Sequence, residues 1–254
     1  MKRWMGVTCR ALSIMVALAL PWGILETIEA QAGYEQDPTL VGVTVSGRVT
    51  FAGELPKKPK TLPVHRDSAF CGKAVPNESL LVDGGSRSIV GVVVSLEGVA
   101  KGKPFTKDEV LVFENHTCRF RPRVSAVSAG SQLEIMNTDP IMHNTHIRKD
   151  DRFGSTVLNV AQPAGAKVIR KPLLEVGALD IRCDAHPFMY ASIHVFEHPY
   201  FVVTDEAGQF QLTQVPPGKY RLKMWHEALG YRESLLVVPA KGPVTVDLEL
   251  RPEE

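Results

Sequence analysis

Apolar and polar residues alternate along most of this chain in short runs, the two-residue period of strands with one buried face. Val43-Thr44-Val45-Ser46-Gly47-Arg48-Val49-Thr50-Phe51, residues 89–96, 132–136, 179–182, 191–196 and 243–250 all read as strands, with Gly, Pro, Asn and Asp between them. Almost no segment sustains a helical period. Runs of this kind bury their apolar faces by stacking sheet on sheet, so an all-β chain of one large or two small sandwich domains is expected. Residues 53–80, rich in Pro, Lys and polar groups, are expected to form a long ordered loop.

The N-terminus breaks this pattern. Lys2, Arg3 and Arg10 flank the start of an apolar run at residues 11–20, and Ala30-Gln31-Ala32 follows. That order reads as a secretory signal peptide over residues 1–32. Its apolar core is shorter than a membrane span needs, and no other segment approaches one. The mature chain is therefore expected in the periplasm or secreted, without a membrane span. Residues 1–32 hold three of the 29 Lys and Arg and two of the 28 Asp and Glu, which leaves 26 of each. A formally neutral chain offers no field for nucleic acid or an anionic membrane, so neither is expected as a partner.

Candidate chemistry is concentrated in Cys183-Asp184-Ala185-His186-Pro187-Phe188-Met189, where a thiol, an imidazole and a thioether share one short loop between two strand-like runs. Two His and one Cys in a plane, with a long axial Met, select copper for electron transfer. The second His must come from elsewhere. Met142-His143-Asn144-Thr145-His146 follows the strand-like residues 132–136 and the turn Asn137-Thr138-Asp139-Pro140, which puts His143 at a strand end. His146, three residues on in an extended segment, points to the other face and is not expected to bind. A competing reading treats Cys183 as a buried small hydrophobe, Met189 as core filler and His186 as a satisfied polar residue. His65, His116, His194 and His198 have no ligand partners at informative spacing and are expected as surface or partly buried polar residues, with His226 lining a surface.

The two segments resemble the type 1 (blue) copper proteins, the cupredoxins, above all the amicyanin-like branch, whose copper loop also reads Cys, two residues, His, Pro, Phe, Met. The resemblance covers roughly residues 110–196. It implies a Greek-key β-sandwich over residues 104–197 and one type 1 copper held by His143, Cys183, His186 and Met189. It also implies that the Asn144 backbone amide donates to the Cys183 sulfur while its side chain pins the two loops together. In the family the edge of the second His ligand is exposed, so His186, amid Phe188 and Met142, is expected as the electron's exit. With Cys183 engaged by copper, Cys71 and Cys118 are left to pair in an oxidising compartment.

A second resemblance lies downstream. Val203-Thr204-Asp205-Glu206-Ala207-Gly208-Gln209-Phe210, then Val215-Pro216-Pro217-Gly218-Lys219-Tyr220-Arg221-Leu222 and Gly230-Tyr231, resemble the carboxypeptidase regulatory-like, transthyretin-like β-sandwich. Residues 198–252 would form that module, with its first strands in residues 40–103 and the copper domain inserted between them. The rival arrangement makes residues 40–100 an N-terminal elaboration of the copper domain. Asp205 to Gly208 and Pro217-Gly218 are expected as hairpin turns, with Phe210, Tyr220 and Leu222 facing inward.

Together these features imply a one-electron carrier rather than an enzyme, serving a redox protein such as a c-type cytochrome or a periplasmic dehydrogenase. The repeated His-x-His pairs of a multicopper oxidase do not occur, nor does the second His-rich site of a copper nitrite reductase. The alternatives are a copper storage or delivery protein, and a metal-free structural or carbohydrate-binding surface protein.

Overall fold

Two separate hydrophobic cores form, each between a pair of sheets, in the computed structural model, which describes residues 33–55, 61–105 and 107–252. The expected signal peptide and the basic run Lys57-Lys58-Pro59-Lys60 lie outside the described residues. Among the described residues no helix is long and apolar enough to cross a membrane.

The sandwich built from residues 110–196 has one sheet in the order Ile169–Pro172, Gln132–Asn137, Val110–Asn115, Phe120–Arg121. The facing sheet runs Thr156–Gln162, His143–Lys149, Gly177–Arg182, Tyr190–Phe196, Val124–Ser128. Each sheet contains one parallel pair, Val110–Asn115 with Gln132–Asn137 and Tyr190–Phe196 with Val124–Ser128, so the chain crosses between sheets rather than meandering through one. Leu133 and Ile135 alternate inward with Ile147, Leu179, Ile181 and Ile193 to fill the space between. Burying a side chain of this size removes roughly 1.5–3 kcal/mol of unfavourable exposure.

The other sandwich uses strands from both sides of that stretch. Val93–Glu97 pairs with Phe201–Val203 and Gly218–His226, and Val43–Phe51 pairs with Gln209–Val215. Residues 110–196 therefore leave and return between two strands that are hydrogen-bonded neighbours. Phe210, Tyr220 and Leu222 all enter this core.

The turns behave differently from expectation. Asp205 to Gly208 is a tight turn closed by the Gly208 N–H donating to the Asp205 carbonyl at 2.9 Å, with Gly208 at φ 69°. Neither this turn nor Pro217-Gly218 closes a hairpin, however. The strands flanking each lie in different sheets, so both turns carry the chain from one sheet to the other. The hairpin here is at Glu227 to Leu229, between Gly218–His226 and Gly230–Val238. Turn residues report a reversal of direction, and the partner sheet is decided by which faces must be buried.

The two sandwiches meet along the strand Tyr190–Phe196. His194 packs on Trp225 with ring centroids 4.3 Å apart, Phe196 stacks on Phe201 at 4.7 Å, and Arg123 holds both oxygens of Glu227 at 2.8 and 2.6 Å. His194 is thus a buried interface residue, 4% exposed, and not the surface or partly buried group expected, and His226, 3% exposed, is likewise buried and does not line a surface. Within residues 61–76 the loop folds as the short pair Thr61–Pro63 and Ala74–Pro76 around a four-residue helix, Ser68–Cys71. Cys71 is disulfide-bonded to Cys118, with alpha carbons 5.6 Å apart. Closing a loop of this length contributes roughly 4 kcal/mol in the chain-entropy account.

Candidate metal centre

His143 opens the strand His143–Lys149, and the turn before it is held by hydrogen bonds of the Asn137 side chain. The Asn137 amide donates to the carbonyls of Ile141 and Gln162, each at 2.8 Å, and Asn137 Oδ1 accepts the Asp139 N–H at 3.1 Å. Gln162, wholly buried, donates to the Ile135 carbonyl at 3.0 Å and so ties the two sheets together beneath His143. This is a polar frame in which the Asn137, Asp139 and Gln162 side chains all find partners, the condition for a side-chain network to rigidify a site.

On the other side, Gly177–Arg182 delivers Cys183, and two successive turns bring the chain back. The His186 N–H donates to the Cys183 carbonyl at 3.2 Å, and the Met189 N–H to the His186 carbonyl at 2.9 Å, before Tyr190–Phe196 resumes the sheet. Asn144 links this loop to the first. Its backbone N–H donates to Cys183 Sγ at 3.4 Å, its Oδ1 accepts the Asp184 N–H at 2.6 Å, and its Nδ2 donates to the Asp184 carboxylate at 3.0 Å.

The result brings His143, Cys183 and His186 together, with their donor atoms within 4.8 Å of one another and all three side chains buried. Met189, 1% exposed, packs in the same core cluster as Cys183. His146 faces away from this group and is engaged elsewhere, its Nδ1 at 3.0 Å from the Asp184 carboxylate and its Nε2 at 2.9 Å from Thr156 Oγ1. A second cluster of Cys118, Asp139 and His143 offers no thiolate, because the Cys118 sulfur is in the disulfide.

Both imidazoles are oriented by carboxylates. His143 Nε2 lies 2.8 Å from Asp139 Oδ2, and the Asp139 carboxylate also accepts the backbone N–H groups of Thr117 at 2.6 Å and Cys118 at 2.8 Å. His186 Nε2 lies 3.0 Å from Asp67 Oδ2. A carboxylate accepts, so each Nε2 carries a ring proton, and in the neutral form of each ring Nδ1 is then the lone-pair nitrogen. Those two Nδ1 atoms face each other at 3.1 Å, inside a site where both rings are 0% exposed, and Cys183 Sγ is 3.6 Å from His186 Nδ1. Two facing lone pairs cannot satisfy each other. Nitrogens that each stand about 2.0 Å from a shared ion are naturally this close, so the donor set fits a metal ion.

Burial holds both groups neutral. It pushes the Cys183 thiol up, and it pulls His143 down against the raising effect of the Asp139 hydrogen bond. Neutral imidazoles are the form that ligates, while the thiol must give up its proton to do so.

One expectation is overturned. The ring edge of His186 is not exposed, because Asp67 and the segment around it cover it. Met142 is 44% exposed and Phe188 half-buried, so apolar groups reach the surface nearby without the imidazole. Neither carboxylate stood out in the sequence as a ring partner. Asp139 was visible only as part of a turn, and Asp67 lies 119 residues from His186.

Two imidazoles and a thiol, closed off at one end of a β-sandwich, make a site that could hold a single metal ion of the kind that prefers nitrogen and sulfur. Solved structures similar to part of the chain are cupredoxins. They include an amicyanin from Paracoccus versutus (20% identity, 36% of this chain and 85% of that one, TM-score 0.31). A purple cupredoxin from Nitrosopumilus maritimus has 17% identity over 35% of this chain and 100% of that one, with TM-score 0.29. A copper-containing nitrite reductase from Thermus scotoductus SA-01 has 19% identity and TM-score 0.32, over 38% of this chain and only 24% of the reductase. No family model matches the chain, and no curated protein matches it.

Proposed function

We propose that this chain is a mononuclear type 1 copper protein that carries single electrons, with His143, Cys183, His186 and Met189 as its ligands. The observation that carries the reading is the pair of Nδ1 atoms facing each other at 3.1 Å beside a buried thiol. When bound, copper supplies reversible one-electron chemistry between two oxidation states. The chain supplies the constancy that makes such transfer fast. Both imidazoles are fixed by carboxylates, Asn144 holds the sulfur and its loop, and burial keeps water from adding to the site.

The copper domain is inserted in a transthyretin-like sandwich that presents it to a partner, a c-type cytochrome or a periplasmic dehydrogenase, and the chain is not an enzyme. The compartment is the periplasm or the exterior, a reading supported by the Cys71–Cys118 disulfide, which persists where thiols are oxidised.

One observation favours a second reading, copper storage or delivery: the covered edge of His186 shuts the ligand most suited to passing an electron outward. Copper titration followed by optical spectroscopy and voltammetry separates the two. An intense thiolate-to-copper band with a reversible couple supports the carrier. Copper that binds without a reversible couple supports storage, and no copper binding overturns both.

A further inference from the structure

Asp67 is placed with unusual definition for a residue in a long connection. It stands ahead of the helix Ser68–Cys71 at φ 56°, a left-handed conformation uncommon outside glycine, and its carboxylate reaches His186 Nε2 at 3.0 Å. The backbone N–H groups of Phe70 and Cys71 both donate to the Asp67 carbonyl, at 3.0 and 2.9 Å, so the residue and the helix are one unit. That unit is covalently tied through Cys71 to Cys118, and the Cys118 N–H donates to the same Asp139 oxygen that receives His143. A continuous ring of contacts results, from His186 to Asp67, along the helix, across the disulfide, and through Asp139 back to His143. Nothing else within the copper loop restrains the outer nitrogen of His186. The Asp67 carboxylate also lies 3.8 Å from Arg66 Nε, at the surface, so the cap is a thin one.

We propose that Asp67 is a positioning residue for His186, and that the disulfide-tethered segment Thr61–Pro76 carrying it is a fixed cap that closes the outer edge of the metal centre. The inference rests on the metal reading for its purpose, but its geometry belongs to the chain alone. With the proton held on Nε2, the Nδ1 lone pair stays aimed at His143 and Cys183. With the edge covered, a small ligand or a partner protein approaching this side meets Asp67 and the half-exposed Phe70, and not a ligand ring.

The test uses the full mature chain without copper. Nitrogen-15 NMR of wild type should show His186 protonated at Nε2. Asp67→Ala should yield a mixture of the two tautomers, and Asp67→Asn, whose amide oxygen still accepts, should restore the wild-type pattern. Alkylation of Cys183 by iodoacetamide in the folded protein should quicken at least tenfold in Asp67→Ala and in the Cys71→Ser/Cys118→Ser double variant. Wild-type tautomer and alkylation rate in Asp67→Ala would overturn the proposal, whether or not the double variant folds. Copper titration of the wild type is read separately. If copper does not bind while Asp67→Ala still shifts the tautomer, the electron-carrier reading fails and the positioning role of Asp67 stands.

Discussion

Cys118 and His143 share one acceptor: the Cys118 backbone N–H and the His143 Nε2–H both donate to Asp139 Oδ2, each at 2.8 Å. A disulfide residue is therefore a single carboxylate away from the candidate metal centre, and the carboxylate is almost wholly buried. Asp139→Ala removes the acceptor for three N–H groups at once. Each buried donor left unpaired costs about 1–3 kcal/mol, so the copper-free variant should lose several kcal/mol in urea unfolding. Asp139→Asn, which keeps one acceptor oxygen, should lose less. Equal stability of Asp139→Ala and wild type would show that these donors find water instead.

Cys183→Ser should abolish any blue colour while leaving the fold, since colour in such centres comes from thiolate-to-copper charge transfer. Met189→Leu should keep copper and raise the potential, because losing a soft axial donor disfavours the oxidised ion. His146→Ala should leave the spectrum nearly unchanged, its ring being held by Asp184 and Thr156. Optical titration and voltammetry of the three variants check this; a colour lost in His146→Ala and kept in Cys183→Ser would reassign the ligands.

A chain lacking residues 1–32 should show one titratable thiol under non-reducing denaturation, that of Cys183. The Cys71→Ser/Cys118→Ser double variant should lose roughly 4 kcal/mol of stability, measured by urea midpoint. Three thiols in the denatured wild type would mean the bridge is not made.

Acid should weaken the contact between the sandwiches. Burial holds His194 at about 4, with the charge of Lys223 adding to the effect, and His226 at about 4, with Arg123 adding. Both lie below the ordinary value near 6.5, so the unfolded chain takes up these protons first as pH falls. Above pH 6.5 neither ring contributes. Between about 6.5 and 4 stability should fall, by up to roughly 3 kcal/mol per ring, and the loss should level off below about 4. His194→Leu should flatten its share of the slope in copper-free protein, as read by urea unfolding at pH 7 and 4.5.

Much of the centre was legible because it is local. Cys183, His186 and Met189 occupy one loop, and Asn144 follows His143 directly, so local residue pattern together with the family resemblance carried their grouping. Strand-like alternation was equally readable, as at Gln132–Asn137, where inward and outward positions alternate without a break. What stayed hidden depends on contacts distant in sequence. Asp67 contacts a ring 119 residues away, and nothing local in the sequence marked it. Thr117 and Cys118, at φ 49° and 56°, take left-handed conformations that their residue types do not advertise, and it is that bend which turns two N–H groups onto Asp139. The turn at Pro217-Gly218 was visible, but the choice of sheet after it depends on the core of Leu222 and Met224, which local pattern does not encode.

Ser95 pairs with Phe201 across the whole of the inserted sandwich, and that has a kinetic meaning. Bringing such distant residues together through a loose chain carries a loop-closure entropy that grows with its length, and long-range pairings of this kind slow folding. Once residues 110–196 have folded, their two ends stand close, and the open chain to be closed shrinks to the short segments on either side. The inserted sandwich then works as a splint for its host: variants that delay its folding should also delay the docking of Val93–Glu97 against Phe201–Val203.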